Sequence, residues 1–255
     1  LFGGSAWERV VEADGTPGQW YCHMFAPEQP DWNWENPAVV ELFDGIVRFW
    51  LDRGIDGIRI DVADSMAKNQ NFPDTPTDPK TGYGTTAKFQ GHPYWDQPGV
   101  EQIHRRWRAI ADSYAGSRLG SRIFVSEAHM SPAERLVRYV APGRLHTTFN
   151  FDHLWCEWTG PSQRAMIDTI LRVHADVDAP ATWVIGNHDT TRVVTRYGKA
   201  ETGWRFIADG VHPDDALKFA EYFAPLPTDV ALGRRRARAA ALLEFALPGV
   251  AYIYQ

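Results

Sequence analysis

Three acids in this sequence stand where short apolar runs end. Asp61 follows Gly57-Ile58-Arg59-Ile60, Glu127 follows Ile123-Phe124-Val125-Ser126, and Asp189 follows an apolar stretch that closes on Asn187-His188. Two carboxylates facing one bond can carry out glycoside hydrolysis: an ionised one attacks the anomeric carbon, and the other holds a proton for the leaving oxygen. Their pKa values must be pushed apart, and the surroundings do this. Arg59 precedes Asp61 by two residues and so shares its strand face, which places a cation beside the acid and favours its charged form. Glu127 ends an apolar run, where desolvation raises a carboxyl pKa. Asp189 adjoins His188, a pair able to hold sugar hydroxyls. A single acid at a strand end is more often a loop cap or an ion-pair partner. Three of them on separate runs, with an Arg and a His, point to a site. The competing reading is a metal-dependent hydrolase built on His23, Asp61, His188 and Asp189. That reading lacks a closely spaced His pair, and neither a metal nor another cofactor is expected.

The elements that must position these acids follow from periodicity and punctuation. Residues 1–36 are rich in turn formers and read as irregular. Asn36-Pro37 is a helix start, with Asn as N-cap and Pro at the first helical position. Val40, Phe43, Val47, Trp50 and Leu51 continue at helical spacing, and Gly54 closes the helix. The run 55–62 reads as a buried strand carrying Asp61. The pattern then repeats: a helix near 98–116, a strand at 122–126, a short helix near 132–140 and a strand around 146–151. A helix near 162–176, a strand at 181–187, a helix near 233–247 and a strand at 250–254 complete it. Alternation of apolar strands with helices implies a parallel sheet buried on both faces. An open sheet and a closed barrel both fit this alternation. The placement of acids at the ends of several strands favours the barrel, whose strand C-termini converge on one mouth. The long segment 67–96 follows the Asp61 strand and is expected to overhang that mouth.

Bulk properties narrow the partners. The formal net charge of -6 argues against nucleic acid, because phosphate binding calls for a basic face. The basic run Arg234, Arg235, Arg236 and Arg238 reads as a solvated helix start. No apolar run is long enough to span a bilayer, and no signal peptide is expected. Cys22 and Cys156 do not make a disulfide framework, so a reducing, cytoplasmic setting is expected. The 11 tryptophans could supply flat faces for pyranose rings, although most are expected to fill the core.

Gly57-Ile58-Arg59-Ile60-Asp61 resembles the nucleophile segment of the α-amylase family of glycoside hydrolases. Phe124-Val125-Ser126-Glu127-Ala128 resembles its acid/base segment. Asn187-His188-Asp189, with Arg192 three residues on, resembles the segment holding the third acid. Gln29-Pro30-Asp31-Trp32-Asn33 resembles a segment that marks the oligo-1,6-glucosidase branch. The resemblance extends to Pro248-Gly249 and Tyr252-Ile253-Tyr254-Gln255. It implies an α/β fold consisting of strands 4 to 8 of a (β/α)8 TIM barrel. Residues 1–36 would be the tail of a loop-rich inserted B domain, and residues 37–255 the C-terminal part of the catalytic barrel. It also implies roles: Asp61 as nucleophile, Glu127 as acid/base, and Asp189 as the acid that binds the distorted ring. Arg59, His188 and Arg192 would support the subsite for the nonreducing end.

The activity so implied is that of a retaining, exo-acting α-glucosidase on short oligosaccharides. Transglycosylation or isomerisation, as in trehalose synthases and sucrose isomerases, is the alternative. A non-enzymatic relative, such as the ectodomain of an amino-acid transporter heavy chain, is disfavoured by the presence of all three acids. Val62 resembles the α-1,6-cleaving branch, although a β-branched residue there could simply continue the strand. The family's first motif, from the third barrel strand, has no counterpart here. A piece with an open barrel edge would expose unpaired strand groups, so the chain alone is expected to be inactive or poorly folded.

Overall fold

The computed structural model describes residues 5–75, 92–118, 120–130, 132–203 and 224–254. Its N-terminal part departs from expectation. Instead of irregular chain, β1 (Trp7–Val11) and β2 (Pro17–Cys22) pair as an antiparallel hairpin with Trp7 opposite Cys22. The hairpin is largely exposed, so its alternation has no apolar face to reveal it. The turn is set locally by Asp14, whose carboxylate accepts from the backbone and hydroxyl of Thr16, and by Gly15 at φ 82°.

Helix α1 (Pro37–Asp52) begins as expected. Asn36 Oδ1 accepts from the Ala38 amide at 3.0 Å, and Gly54 at φ 94° turns the chain out of the last turn. Val47 and Leu51 on its inner face are buried against β3 (Gly57–Ile60) and α2 (Pro98–Asp112). β3 runs parallel to β4 (Ile123–Ser126), with Gly57 opposite Ile123 and Ile60 opposite Ser126. The two strands approach so closely that a Cβ on Gly57 would lie 2.3 Å from the Ile123 carbonyl oxygen, which explains a residue poor in strand propensity at this position.

Helix α3 (Ala133–Leu136) tightens into a 3₁₀ turn over Val137–Val140. It leads to β5, which is only Thr147–Thr148 and pairs parallel to β4. The strand expected around 146–151 is cut short because Asn150 caps α4 (Phe151–Trp155), accepting from the His153 amide at 3.1 Å. Then come α5 (Gly160–Ala175), β6 (Thr182–Val184) and the short α6 (Val193–Tyr197), a helix not expected from the sequence. Helix α7 (Val230–Ala246) and β7 (Val250–Tyr252) end the chain, with β7 parallel to β6. Asp229 caps α7 by accepting from the Leu232 amide, so the helix starts before the expected Gly233. Arg234, Arg235 and Arg238 lie on its exposed face. Arg236 instead donates to the carbonyls of Tyr197 and Lys199.

The two groups of parallel strands, β3-β4-β5 and β6-β7, are joined by side chains. Thr182 Oγ1 donates to the Thr148 carbonyl, and Asn150 Nδ2 donates to the Thr182 carbonyl at 2.7 Å. One apolar core fills the space between β3–β4 and α1–α2 around Leu51, Ile103, Trp107 and Phe124. A second packs Trp183 of β6 against Ile170 and Val173 of α5. A third, formed by Phe149, Phe151, Trp155, Val184 and Tyr252, joins the strands of both groups. Leu42, Ile46, Phe49 and Trp50 of α1 and Leu242 and Phe245 of α7 are exposed. Of the segment 67–96, residues 76–91 lie outside the described residues.

Candidate active site

The parallel register explains how two acids 66 positions apart in the numbering meet. Ile60 sits opposite Ser126, so the residues that follow, Asp61 and Glu127, leave adjacent strands side by side. Adjacent strands lie about 4.8 Å apart, close to the ~5–5.5 Å between carboxyl groups that a retaining glycosidase needs. Backbone bonds secure the two ends: the Glu127 amide donates to the Ile60 carbonyl at 2.9 Å, and the Ala63 amide to the Glu127 carbonyl at 2.8 Å.

Arg59 reaches both acids. Its Nη1 lies 2.7 Å from Asp61 Oδ1 and its Nη2 lies 3.3 Å from Glu127 Oε1. The expected shared face of Arg59 and Asp61 is therefore observed. Burial pushes the Glu127 carboxyl above the ordinary carboxylate range, and the neighbouring Asp61 charge adds to this; the Val62 amide and Arg59 oppose it. At 3.1 Å, the Val62 N–H donates to Glu127 Oε2. Val62 takes φ 44°, a left-handed conformation that is strained for a β-branched residue. Val62 therefore does not continue the strand, which ends at Ile60.

A second cluster stands beyond β6. His188 Nε2 is 3.2 Å from Asp189 Oδ2. Arg192 Nη1 donates to the carbonyls of Asn187 and Thr190, both at 2.8 Å, and its guanidinium lies 4.8 Å over the Tyr254 ring. His188 stands 6.2 Å from the same ring. Tyr254 was not singled out as a site residue; the available signal is that it stands two residues past β7, among the strand ends. On α4, Asp152 is half-buried and desolvation pushes its carboxyl up, with His129 opposing.

A cavity of about 760 Å³ opens beside β3, lined in part by Trp32, Phe43, Trp50, Arg59 and Asp61. Trp32 and Trp34 both pack against Phe43, so part of the tryptophan content forms an aromatic wall next to the first acid. The four residues of the competing metal reading are not gathered. His23 Nδ1 sits against the Phe25 carbonyl, and among the described residues no three His, Cys, Asp or Glu side chains converge as a ligand set. Cys22 and Cys156 are free thiols, and among the described residues no helix is long and apolar enough to cross a membrane.

Comparison with known proteins places this geometry. Residues 1–210 match the family described as alpha amylase, catalytic domain. An alpha-glucosidase of Culex pipiens is 31% identical over 208 residues, covering 78% of this chain and 34% of that protein. An oligo-1,6-glucosidase of Heyndrickxia coagulans is 32% identical over 219 residues, covering 79% of this chain and 37% of that protein. The chain thus spans about a third of the length of these relatives. Among solved structures, an alpha-glucosyl transfer enzyme superposes with a TM-score of 0.68 at 27% identity, covering 99% of this chain and 41% of that one. A trehalulose synthase superposes with a TM-score of 0.62 at 26% identity, covering 78% and 35%. With its parallel strands and helices in alternation and its acids at the strand ends, the chain belongs to the α-amylase catalytic-domain family, whose fold is a TIM barrel.

Proposed function

We propose that this chain carries the catalytic acids of a retaining, exo-acting α-glucosidase that releases terminal α-linked glucose from short oligosaccharides. The observation that carries the proposal is the register-matched pairing of Asp61 with Glu127, bridged by Arg59. Asp61 attacks the anomeric carbon and forms the glycosyl-enzyme. Glu127, its carboxyl raised by burial, protonates the leaving oxygen and then takes a proton from the attacking water. Asp189, with His188, holds ring hydroxyls as the sugar distorts, and Arg192 stiffens that loop through its carbonyl contacts. In this reading β3 to β7 are barrel strands 4 to 8, and residues 1–36 are the tail of an inserted domain.

A second reading is transfer of the glucosyl unit to a sugar rather than to water. It is favoured by the structural likeness to an alpha-glucosyl transfer enzyme and a trehalulose synthase. Both readings share the covalent intermediate and differ in the acceptor. The test is to follow p-nitrophenyl α-glucoside and maltose turnover by NMR, using the full-length polypeptide that carries this chain. The proposal expects α-glucose as the first product, with Asp61→Asn and Glu127→Gln each nearly silent. A first product of β configuration would overturn it, and disaccharide products at high substrate would favour the transfer reading.

A further inference from the structure

The turn that follows Asp61 is held more tightly than a strand-to-loop exit requires. Its three successive carbonyls each meet a donor: two come from distant parts of the chain, and the third is the Lys68 side chain three residues on, itself tied to Asp31. The Ala63 carbonyl faces His104 Nε2 of α2 at 3.0 Å. The Asp64 carbonyl accepts from the Asp96 amide at 2.7 Å. The Ser65 carbonyl accepts from Lys68 Nζ, whose ammonium is also paired with Asp31 Oδ1 at 2.8 Å.

Each donor is itself fixed. His104 is fully buried, and its ring stands edge-on to Tyr139 at 4.8 Å. A carbonyl can only accept, so Nε2 carries a proton; Nδ1 is buried with no hydrogen-bond partner among the described residues, and the imidazole is neutral. Burial keeps it so, lowering the His104 pKa to about 4. Asp96 takes φ 50°, and its carboxylate is anchored by Arg135 at 2.5 Å and by the Tyr139 hydroxyl at 2.8 Å. Asp31 accepts from the Met24 amide at 2.7 Å through its other oxygen.

The strain at Val62 gives these contacts a purpose. A left-handed conformation at φ 44° is strained for a β-branched residue, and persists only where its surroundings over-determine it. The benefit is the Val62 N–H, which this conformation aims at Glu127 Oε2. We propose that His104 and Lys68 are positioning residues: they clamp the carbonyls of the 63–65 turn, hold Val62 in its left-handed conformation, and so fix Asp61 and Glu127 relative to each other. This inference rests on the glucosidase reading for its catalytic consequence and on geometry alone for the clamp.

The experiment uses His104→Phe, His104→Gln and Lys68→Met in the full-length polypeptide, with two readouts. The first is kcat and KM on p-nitrophenyl α-glucoside, together with the rate at which a fluoroglucoside labels Asp61. His104→Phe is expected to lower kcat and the labelling rate together by about 10- to 100-fold, the loss that follows displacement of a reacting group by an ångström, with KM within about twofold. His104→Gln, whose side-chain amide can donate to the same carbonyl, is expected to recover most of the rate. The second readout is hydrogen exchange of residues 61–66, which is expected to accelerate about tenfold in His104→Phe and Lys68→Met while β6 is unchanged. If His104→Phe does not fold, Lys68→Met supplies both readouts from the other side of the turn. A folded variant with the parent's kcat, or with unchanged exchange in the turn, overturns the clamp. Failure of the parent to label at Asp61 instead overturns the catalytic reading, and the exchange readout then decides the clamp alone.

Discussion

Glu244 supplies a sharp test of the energetics. It lies on α7 and is 1% exposed, and burial pushes its carboxyl up to about 8 against the single opposing influence of the Tyr252 backbone amide. Below about pH 4.5 the carboxyl is protonated in folded and unfolded chain alike and costs nothing. From there to about pH 8 the unfolded chain ionises while the folded chain keeps its proton, so stability falls as the pH rises. At ~1.4 kcal/mol per pH unit, the cost reaches up to about 3 kcal/mol at neutral pH. Glu244→Gln keeps the shape and removes the titration. It is expected to match the parent near pH 4.5 and to exceed it by up to about 3 kcal/mol at pH 7, several degrees in Tm for a chain of this size. The assay is thermal or urea unfolding of both proteins across pH 4.5–8.5, read as the difference between them so that other titrating groups cancel. A difference that stays flat with pH would refute the burial argument.

Other outcomes follow from the same structure. Arg59→Met removes a cation that pulls the Glu127 carboxyl down, so the alkaline limb of the kcat/KM profile is expected to move to higher pH while activity drops; an unmoved limb would separate Arg59 from the proton carrier. Asn150→Ala removes both the α4 cap and the donor to the Thr182 carbonyl that links the two strand groups. It is expected to cost about 2–3 kcal/mol in urea unfolding. Buried His104 and His153 and half-buried His146 are all held down to about 4, so they stay neutral when the unfolded chain protonates near 6.5. Stability is therefore expected to fall as the pH drops from about 6.5 to 4, and His153→Phe, measured against the parent, should flatten part of that slope.

What could be read from the sequence was what is encoded locally. Asn36-Pro37 and Gly54 bracket a helix through their own backbone chemistry, and they do so in the structure. The runs before Asp61 and Glu127 are apolar because β3 and β4 pack against α1 and α2, and the acids mark where those strands end. The two-residue length of β5 was hidden, because Asn150 spends its side chain on both a helix cap and a strand link. The hairpin β1–β2 was hidden because it buries no apolar face. At Val62 the local signal pointed the wrong way. A β-branched residue after a strand suggests more strand; in the structure the carbonyls that follow Val62 instead meet His104 of α2, the Asp96 amide and Lys68, which is itself paired with Asp31. Tyr254 was similarly silent, since its value lies in standing over Arg192 and near His188.

In the proposed mechanism Asp61 forms a covalent glycosyl-enzyme while Glu127 carries the proton. The most direct measurement is to trap the full-length polypeptide with a fluoroglucoside whose leaving group needs no protonation, digest it, and map the modified peptide by mass spectrometry. One glycosyl label is expected, on Asp61, and Glu127→Gln is expected still to label while Asp61→Asn does not. A label on any other residue, or none with an active protein, would contradict it.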